Sequence, residues 1–329
     1  MIDEDDFRKP EPRTPKPEPR ASEHQSRGPS GESRAPRHIP VLLQEVLEFL
    51  DVRPDGFYVD ATLGAGGHSE AILHVLQQGR GRLLGIDRDP TALALARERL
   101  RPFGERLIAM HGNFAEIDAL HAASGLPPAD GMIADLGLSS MQLGDPSRGF
   151  SFSSSGPLDM RMDPESAVTA EEIVNHGSER ELADLIYKFG EERHSRRIAR
   201  ALMKARPIRT TTELAQVVTR AIPSRSGLHQ IHPATRTFMA LRLAVNRELE
   251  NLDAFLGKAL GVLAPGGRLV VLSFHSLEDR PVKQALQSWQ RAGRARILTK
   301  KVVRPSEAEI ESNPRARSAK LRAAEKNRD

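Results

Sequence analysis

Short apolar runs alternate with amphipathic helical segments along the first part of the chain. The runs predicted as strands are Phe57–Ala61, Leu83–Ile86, Leu107–Met110 and Met132–Ala134. Asp60, Asp87 and Asp135 stand at the carboxyl ends of three of these runs. Because strands that alternate with helices pack best as parallel neighbours, the pattern predicts a parallel, doubly wound sheet.

The intervening segments carry helix signals. Glu70–Leu76 has apolar residues at helical spacing, and Gly79 marks its end. Asp89 is predicted to cap a helix whose first residue is Pro90, since proline is favoured at that position. A further amphipathic helix is expected to start at His38.

The alternation stops after the fourth strand and resumes near the C-terminus. Residues 144–235 contain no convincing strand, but they contain helical runs such as Glu179–Phe189 and Arg196–Lys204. A long helical stripe then extends from Phe238 to Leu256, and Arg268–Phe274 is predicted as a fifth strand after a Pro-Gly-Gly turn. The fold class is therefore α/β, a doubly wound, mostly parallel, Rossmann-like sheet with an inserted all-helical domain.

The domain prediction follows from these changes in pattern. Residues 1–37 are rich in Pro, Glu, Arg and Ser and are expected to form a disordered tail, because they have too few apolar side chains to offset ordering entropy. Residues 38–143 and 236–329 are expected to form one discontinuous domain around the sheet. Residues 144–235 are expected to form the inserted helical domain, with a role in substrate recognition.

Composition excludes several classes of protein. The 329 residues include no cysteine, so the chain has no disulfide, thiolate zinc site, iron–sulfur cluster or catalytic thiol. No stretch approaches the roughly 18 consecutive apolar residues of a membrane helix, and the N-terminus lacks the apolar core of a secretory signal. A cytoplasmic location without membrane association is expected.

Positive charge is concentrated at the C-terminal end. Residues 281–329 hold thirteen basic and five acidic side chains, whereas residues 1–37 hold eight of each. Such a cluster is typical of a phosphate-binding surface, but a solvated tail has the same composition. Four arginines at helical spacing offer a second basic face, for which a salt-bridged surface helix is the alternative: Arg193, Arg196, Arg197 and Arg200.

A glycine-rich turn joins the first predicted strand to a helix. Gly64, Gly66 and Gly67 follow Asp60 there, and glycine lets the backbone approach a ligand at a helix N-terminus. Asp87, at the end of the next strand, is placed to accept hydrogen bonds from ribose hydroxyls. A tight turn without a ligand and a dinucleotide dehydrogenase are the alternatives, but a serine at position 69 breaks the full G-x-G-x-x-G spacing.

Ten motifs, spread over the chain from residue 38 onward, carry a family resemblance. They are HIPVLL (38–43), DATLGAGGHS (60–69), GIDRDP (85–90), DLGLSSMQL (135–143), RGFSF (148–152), GPLDMRMDP (156–164), GEERHSRRIARAL (190–202), HPATRTFMALRLAVNREL (232–249), FHSLEDRPVK (274–283) and NPRARSAKLR (313–322). With these motifs the chain resembles the RsmH/MraW family, the S-adenosylmethionine-dependent methyltransferases of the N4 amino group of a cytosine in the decoding region of 16S ribosomal RNA.

The resemblance implies both a cofactor and a site. The cofactor would be S-adenosyl-L-methionine, with Asp87 on its ribose, Phe114 packed on its adenine and Asp135 near the transferring methyl. The implied cofactor contacts are Gly66, Gly67, His68, Asp87, Phe114, Asp135 and Gln142. The implied partner is small-subunit ribosomal RNA. Because extrusion of a base costs a few kcal/mol, we expect the substrate to be an assembled small subunit, which can hold the base exposed. Arg148 and Arg161 would line the substrate entrance.

The target atom determines the chemistry. Methylation of pyrimidine C5 uses a cysteine nucleophile, which this chain lacks, whereas an exocyclic nitrogen needs no covalent intermediate. An acceptor for its N–H would help to localise the nitrogen lone pair, and Asp135 is the first candidate. Ser139 and Ser140 would shape the pocket, and His275 is a candidate proton relay or hydrogen-bond partner for which a structural role is equally open.

Alternative functions also remain open at this point. A DNA amino-methyltransferase is opposed by Leu-Gly-Leu at 136–138, where many such enzymes have Pro-Pro-aromatic. A ribosome-assembly factor that binds RNA without catalysis would retain the fold and the basic end. A metal site at His275, Glu278 and Asp279 is rejected, because neighbouring acids in a loop are more often solvated or paired and methyl transfer needs no metal.

Overall fold

The computed structural model describes residues 40–222 and 232–328. The predicted N-terminal tail lies outside the described residues. The helices are α1 (Leu43–Leu50), α2 (Gly67–Leu76), α3 (Pro90–Leu100), α4 (Ile117–Ser124), α5 (Ser140–Gly144), α6 (Ala170–His176), α7 (Glu179–Gly190), α8 (Ser195–Ala205), α9 (Thr211–Ala221), α10 (Thr235–Val245), α11 (Glu248–Val262), α12 (Ser276–Arg291) and α13 (Glu307–Ser312). The strands are β1 (Phe57–Asp60), β2 (Arg82–Asp87), β3 (Leu107–His111), β4 (Ala129–Asp135), β5 (Leu263–Ser273), β6 (Ala295–Ile297) and β7 (Lys320–Lys326).

The strands of the described residues form one sheet in the order β3-β2-β1-β4-β5-β7-β6. The pairs among β1 to β5 are parallel, whereas β7 runs antiparallel to both β5 and β6. The order reverses between β1 and β4, and in an open α/β sheet ligands bind beside such a point, at the carboxyl ends of the strands. The predicted Rossmann-like, mostly parallel sheet is confirmed.

The two C-terminal strands were not predicted. Lys320–Lys326 alternates charged and small apolar residues, a pattern that the charge count assigned to a solvated tail or a phosphate-binding surface. In the fold Leu321, Ala323 and Ala324 are buried, while Glu325 pairs with Arg268 and Arg296 at 3.0 and 3.1 Å. Part of the basic end is therefore an inner strand, paired with β5 on one side and β6 on the other.

The long helix expected from Phe238 to Leu256 is wrong. The segment forms two helices, α10 and α11, and the helical backbone is interrupted between them at Arg247, which has a left-handed conformation with φ of 48°. The preceding Asn246 is buried, and its side chain donates to the carbonyl of Met160 at 2.7 Å and accepts from the N–H of Met162 at 2.8 Å. These tertiary hydrogen bonds hold the break in place.

The largest remaining differences between predicted and observed boundaries are at α1 and β5. The first helix begins at Leu43 rather than at residue 38, because Leu42 has φ of 52° and donates its N–H to Glu309 at 2.7 Å. Strand β5 begins at Leu263 rather than Arg268, and its register with β4 shifts near Gly131.

Three apolar clusters form the core. Two of them lie with the sheet, with members such as Val59 and Leu84 in one and Tyr58 and Leu83 in the other, as the alternating direction of strand side chains requires. The third joins helices α6 to α10, which lie between β4 and β5 in the chain. Residues 144–222 and 232–235 contain helices and no strand beyond an isolated bridge between Pro157 and Thr210, as predicted. No helix of the described ranges is long and apolar enough to cross a membrane.

Candidate active site

The loop between β1 and α2 places the predicted glycines at the carboxyl edge of the sheet. Gly64 donates its N–H to Oδ2 of Asp87 at 2.7 Å. Gly66 precedes α2 with φ of 79°, and a Cβ there would lie 2.9 Å from Leu100. A Cβ on Gly67 would lie 2.7 Å from Pro40. Both positions therefore exclude a side chain, because neighbouring residues fill the space, and the N–H of Gly66 donates to the carbonyl of Leu63 at 2.8 Å.

Asp87 is held rigidly at the end of β2. Its Oδ2 accepts from Gly64, and its Oδ1 accepts from the N–H of Asp89 at 2.8 Å. Burial raises the pKa of Asp87, and the two backbone N–H groups oppose that shift. Because a carboxylate oxygen has two lone pairs, each oxygen retains one for a further donor. This arrangement fits the predicted hydrogen bonds to ribose hydroxyls.

Asp89 connects the loops that follow β2 and β4. Its side chain accepts from the N–H of Thr91 at 3.0 Å, which confirms the predicted helix cap. Its Oδ2 also accepts from Nε2 of Gln142 at 2.8 Å and from Nη1 of Arg148 at 2.9 Å. The Arg148 guanidinium donates further to the carbonyls of Arg161 and Met162. Gln142 and Arg148 therefore hold these loops together.

The two predicted serines after β4 differ in their surroundings. Ser139 caps α5, because its Oγ accepts from the N–H of Gln142 at 3.2 Å and its own N–H donates to Oε1 of Gln142 at 3.1 Å. Ser140 follows in the first turn, and its buried Oγ has no hydrogen-bond partner among the described residues. The free hydroxyl in this pair therefore belongs to Ser140.

Asp135 lies at the carboxyl end of β4, beside the reversal of strand order. Its N–H donates to Oγ1 of Thr62 at 2.6 Å, and its Oδ2 lies 3.6 Å from Nδ1 of His68. Its Oδ1 is buried without a partner within the described ranges. Burial, and then the negative charge of Glu278, raise the pKa of Asp135 to about 7.

His68 and Asp60 lie behind Asp135. Nε2 of His68 lies 3.0 Å from the carbonyl of Val41, so Nε2 carries the proton and the neutral ring turns the lone pair of Nδ1 toward Asp135. Burial lowers the pKa of His68 and raises that of Asp60 to about 6. Ser69 donates to Asp60 at 2.7 Å, a role that sequence analysis missed although the residue pattern contains both side chains.

Phe114 begins a short turn after β3 and is partly buried. Its ring meets that of Phe255 edge to face, with centroids 5.3 Å apart. This places Phe114 at the end of β3, on the same edge of the sheet as Asp87. Its packing on an adenine stays a prediction.

His275, Glu278 and Asp279 do not lie in a loop, as was expected, but at the start of α12. Glu278 is buried, accepts from the N–H of Phe274 at 2.9 Å and lies 3.0 Å from Nε2 of His275. Asp279 faces elsewhere and pairs with Arg322 at 2.6 Å. These acids are therefore held by separate partners, and the described residues contain no group of His, Asp and Glu that could hold a metal ion.

Buried polar atoms without partners mark the candidate site. Among the described residues they are Asp135 Oδ1, Ser140 Oγ, Thr237 Oγ1 and His275 Nδ1. Because native proteins pair nearly all buried polar atoms, such atoms indicate where a ligand or water supplies the partner. Three of the four belong to residues that were predicted to be catalytic. The fourth, Thr237, lies inside α10 and was not among the predicted residues.

The family model described as the MraW methylase family matches residues 35–327. The chain belongs to the MraW methylase family. Three similar relatives are each named ribosomal RNA small subunit methyltransferase H. The one from Koribacter versatilis is 53% identical over 295 residues, covering 87% of this chain and 93% of the relative. Those from Cyanothece sp. and Gloeobacter violaceus are 52% and 54% identical, covering 88% and 87% of this chain and 94% and 87% of the relatives.

In this MraW methylase, the arginines predicted for RNA contact fall into two groups. Arg148 is mostly buried and pairs with Asp89 at 2.9 Å, and Arg161 pairs with Asp159 at 2.8 Å. Arg193, Arg196, Arg197 and Arg200 are exposed on or beside α8, although Arg200 lies 3.5 Å from Glu179. Only the second group presents charge to solvent.

Proposed function

We propose that this chain transfers a methyl group from S-adenosyl-L-methionine to the exocyclic N4 of a cytosine in the decoding region of 16S ribosomal RNA. The observation that carries the proposal is the unpartnered Oδ1 of Asp135 at the carboxyl end of β4, with unpartnered atoms of Ser140 and His275 on the segments that follow β4 and β5. Membership of the MraW methylase family supports the reaction type, and the names of the relatives support the RNA substrate.

The residues at the strand ends fit the cofactor. Gly66 and Gly67 form the tight turn into α2, Asp87 retains lone pairs for the ribose hydroxyls, and Phe114 offers an aromatic ring at the end of β3. We further assign His68 and Gln142 to this site, because Nδ1 of His68 lies 3.6 Å from Oδ2 of Asp135 and Nε2 of Gln142 donates to Asp89. S-adenosylmethionine supplies a methyl group already activated by a sulfonium, so the protein's task is positioning.

An exocyclic amino group is a poor nucleophile because its lone pair is delocalised into the ring. A hydrogen bond from one of its N–H groups to Oδ1 of Asp135 would help to localise that lone pair on nitrogen. The carboxylate form is needed for this role. The positive charge of the sulfonium would favour that form, because it would lower the pKa of Asp135 from its raised value of about 7. Ser140, whose hydroxyl is free, would contact the ring.

The substrate must present an unstacked cytosine, and extrusion of a base from a helix costs a few kcal/mol. An assembled small subunit that holds the base exposed would remove that cost. The exposed arginines of α8 and the exposed basic residues near the C-terminus, such as Arg315 and Arg317, would contact its phosphates. The chain is accordingly assigned to the cytoplasm, where small subunits are assembled.

One experiment tests donor, acceptor atom and substrate together. Labelled S-adenosylmethionine is incubated with the protein and with undermethylated small subunits, and the modified nucleosides are mapped by mass spectrometry. We expect N4-methylcytidine at one site with the native chain and at least a 100-fold slower reaction with D135N. Tight cofactor binding without transfer to an intact substrate would overturn the proposal and favour an assembly factor that binds RNA without catalysis.

A further inference from the structure

The two ring nitrogens of His275 have different surroundings. Nε2 lies 3.0 Å from Oε1 of Glu278 and 3.5 Å from Nη2 of Arg242. Nδ1 is buried and has no hydrogen-bond partner in the part of the chain that the structure describes. The ring is therefore anchored through one nitrogen only, and the other is available to a ligand.

Glu278 determines which nitrogen carries the proton. Although burial raises the pKa of Glu278, the hydrogen bond from His275 and the charge of Arg242 lower it below the usual value, so the side chain is a carboxylate. A carboxylate at 3.0 Å repels a nitrogen lone pair and attracts an N–H. The guanidinium of Arg242, which can only donate, would favour a lone pair on Nε2, but at 3.5 Å it is the longer and weaker of the two contacts. The neutral ring is therefore the Nε2–H tautomer, with a lone pair on Nδ1.

The fold brings His275 to the same edge of the sheet as Asp135. Asp135 is the register partner of Leu272 in the parallel pair of β4 and β5, and the N–H of Leu136 donates to the carbonyl of Leu272 at 3.0 Å. His275 follows the last residue of β5 by two positions. Glu278 lies close enough for its charge to act on Asp135. Two unpartnered acceptors, Oδ1 and Nδ1, thus follow adjacent strands.

We propose that Glu278 is a positioning residue that holds His275 in the Nε2–H tautomer, so that Nδ1 of His275 and Oδ1 of Asp135 accept the two N–H groups of the target amine. The inference rests on the proposed function and deepens it. A primary amino group has two donors and therefore needs two acceptors in a buried site. A site with one carboxylate alone would leave one of these donors unpaired.

The arrangement also gives the released proton a destination. As the amino nitrogen bonds to the methyl carbon, the carbon–sulfur bond breaks and its electron pair stays on sulfur. The nitrogen, now positively charged, passes one proton to Nδ1 of His275. The imidazolium that results is stabilised by the carboxylate of Glu278, and it returns the proton to water after the product leaves.

The decisive variant is E278Q. Oε2 of Glu278 accepts from the backbone N–H of Phe274, which can only donate, so a glutamine keeps its carbonyl oxygen there and turns its amide NH₂ toward His275. Nε2 must then accept, and the proton moves to Nδ1. D279N is the matched control, because Asp279 lies in the same helical turn but faces Arg322. Two-bond ¹H–¹⁵N spectra of the imidazole rings report the tautomer independently of activity.

We expect wild type and D279N to show the Nε2–H form of His275 and E278Q to show the Nδ1–H form. In single-turnover assays, the maximal rate of methyl transfer by E278Q should fall about 100-fold. The concentration of small subunits that gives half of the maximal rate should change less than threefold. H275N keeps an acceptor but cannot take a proton, so it should show the same loss of rate with the same small change in apparent affinity for the subunit. An Nδ1–H ring in the wild type, or full activity in a folded E278Q or H275N, would overturn the inference. Absence of N4-methylcytidine with the wild type would instead refute the proposed function.

Discussion

Nε2 of Gln142 donates a hydrogen bond of 2.8 Å to the buried carboxylate of Asp89, 53 residues earlier in the chain. The bond joins the helix that follows β4 to the loop that follows β2. Since Asp87 and Asp135 end these two strands, the contact sets the distance between the predicted ribose ligand and the predicted methyl-transfer site. A single buried carboxylate therefore organises two sides of the site.

Replacement of Asp89 should destabilise the protein strongly. Asp89→Ala removes the cap of α3. It also removes the fully buried carboxylate that pairs with Arg148, and so leaves the largely buried guanidinium of Arg148 without a charged partner. We expect the free energy of unfolding to fall by about 3–5 kcal/mol, as for other broken buried pairs. Denaturant unfolding measures this loss. Glu98→Gln, which removes an exposed pair with Arg101, should change stability by less than about 0.5 kcal/mol.

Replacement of Asp87 should weaken cofactor binding. Loss of two charge-assisted hydrogen bonds to ribose hydroxyls corresponds to about 3 kcal/mol, or roughly a 100-fold increase in Kd. Titration calorimetry of Asp87→Ala with S-adenosylmethionine measures the change, and Asp55→Ala on the exposed loop before β1 serves as the control. Because Asp87 also holds Gly64 and Asp89, a melting curve must show that the variant is folded. If a folded Asp87→Ala variant binds S-adenosylmethionine as tightly as the native chain does, Asp87 does not bind the ribose.

The raised pKa of Asp135 predicts a pH dependence of stability. The folded protein holds the proton up to about pH 7, whereas the unfolded chain releases it near pH 4, so stability falls as the pH rises between these values. Asp135→Asn removes the ionisable group and with it the loss of stability that its ionisation in the folded state causes. At pH 8 the variant should be more stable than the native chain by more than about 1 kcal/mol, and the difference should shrink toward pH 4. A difference that is constant from pH 4 to pH 8 would contradict the prediction.

The C-terminal segment should be needed for folding, apart from any contact with RNA. Deletion of residues 313–329 removes β7, which pairs with both β5 and β6, and should abolish cooperative unfolding. The double variant Arg315→Ala and Arg317→Ala removes only exposed charge, so its Tm should stay unchanged while its affinity for the small subunit falls. Affinity measured at several salt concentrations should show a salt slope smaller by about two. A stable truncated chain would show β7 to be dispensable.

Local signals were sufficient for much of the fold and for the positions of the site residues. The four N-terminal strands, the glycine turn and the Asp89 cap each depend on neighbouring residues. Asp87 and Asp135 could be predicted as site residues because parallel strands align their carboxyl ends. Ser139 and Gln142 have the Ser-x-x-Gln spacing of a capping box, a local signal that sequence analysis missed. The hydrogen bond from Gln142 to Asp89 could not be predicted, since it joins residues 53 positions apart.

The sequence by itself determined that the chain forms a Rossmann-like sheet with carboxylates at the ends of β1, β2 and β4. Only the tertiary structure decided where the helix breaks at Asn246, that a charged C-terminal segment becomes strand β7, and that Glu278 holds one nitrogen of His275. The physical reason is the range of the interactions involved. Helix caps and strand periodicity act within a few residues, whereas pairing of buried polar groups depends on partners that only folding brings into contact.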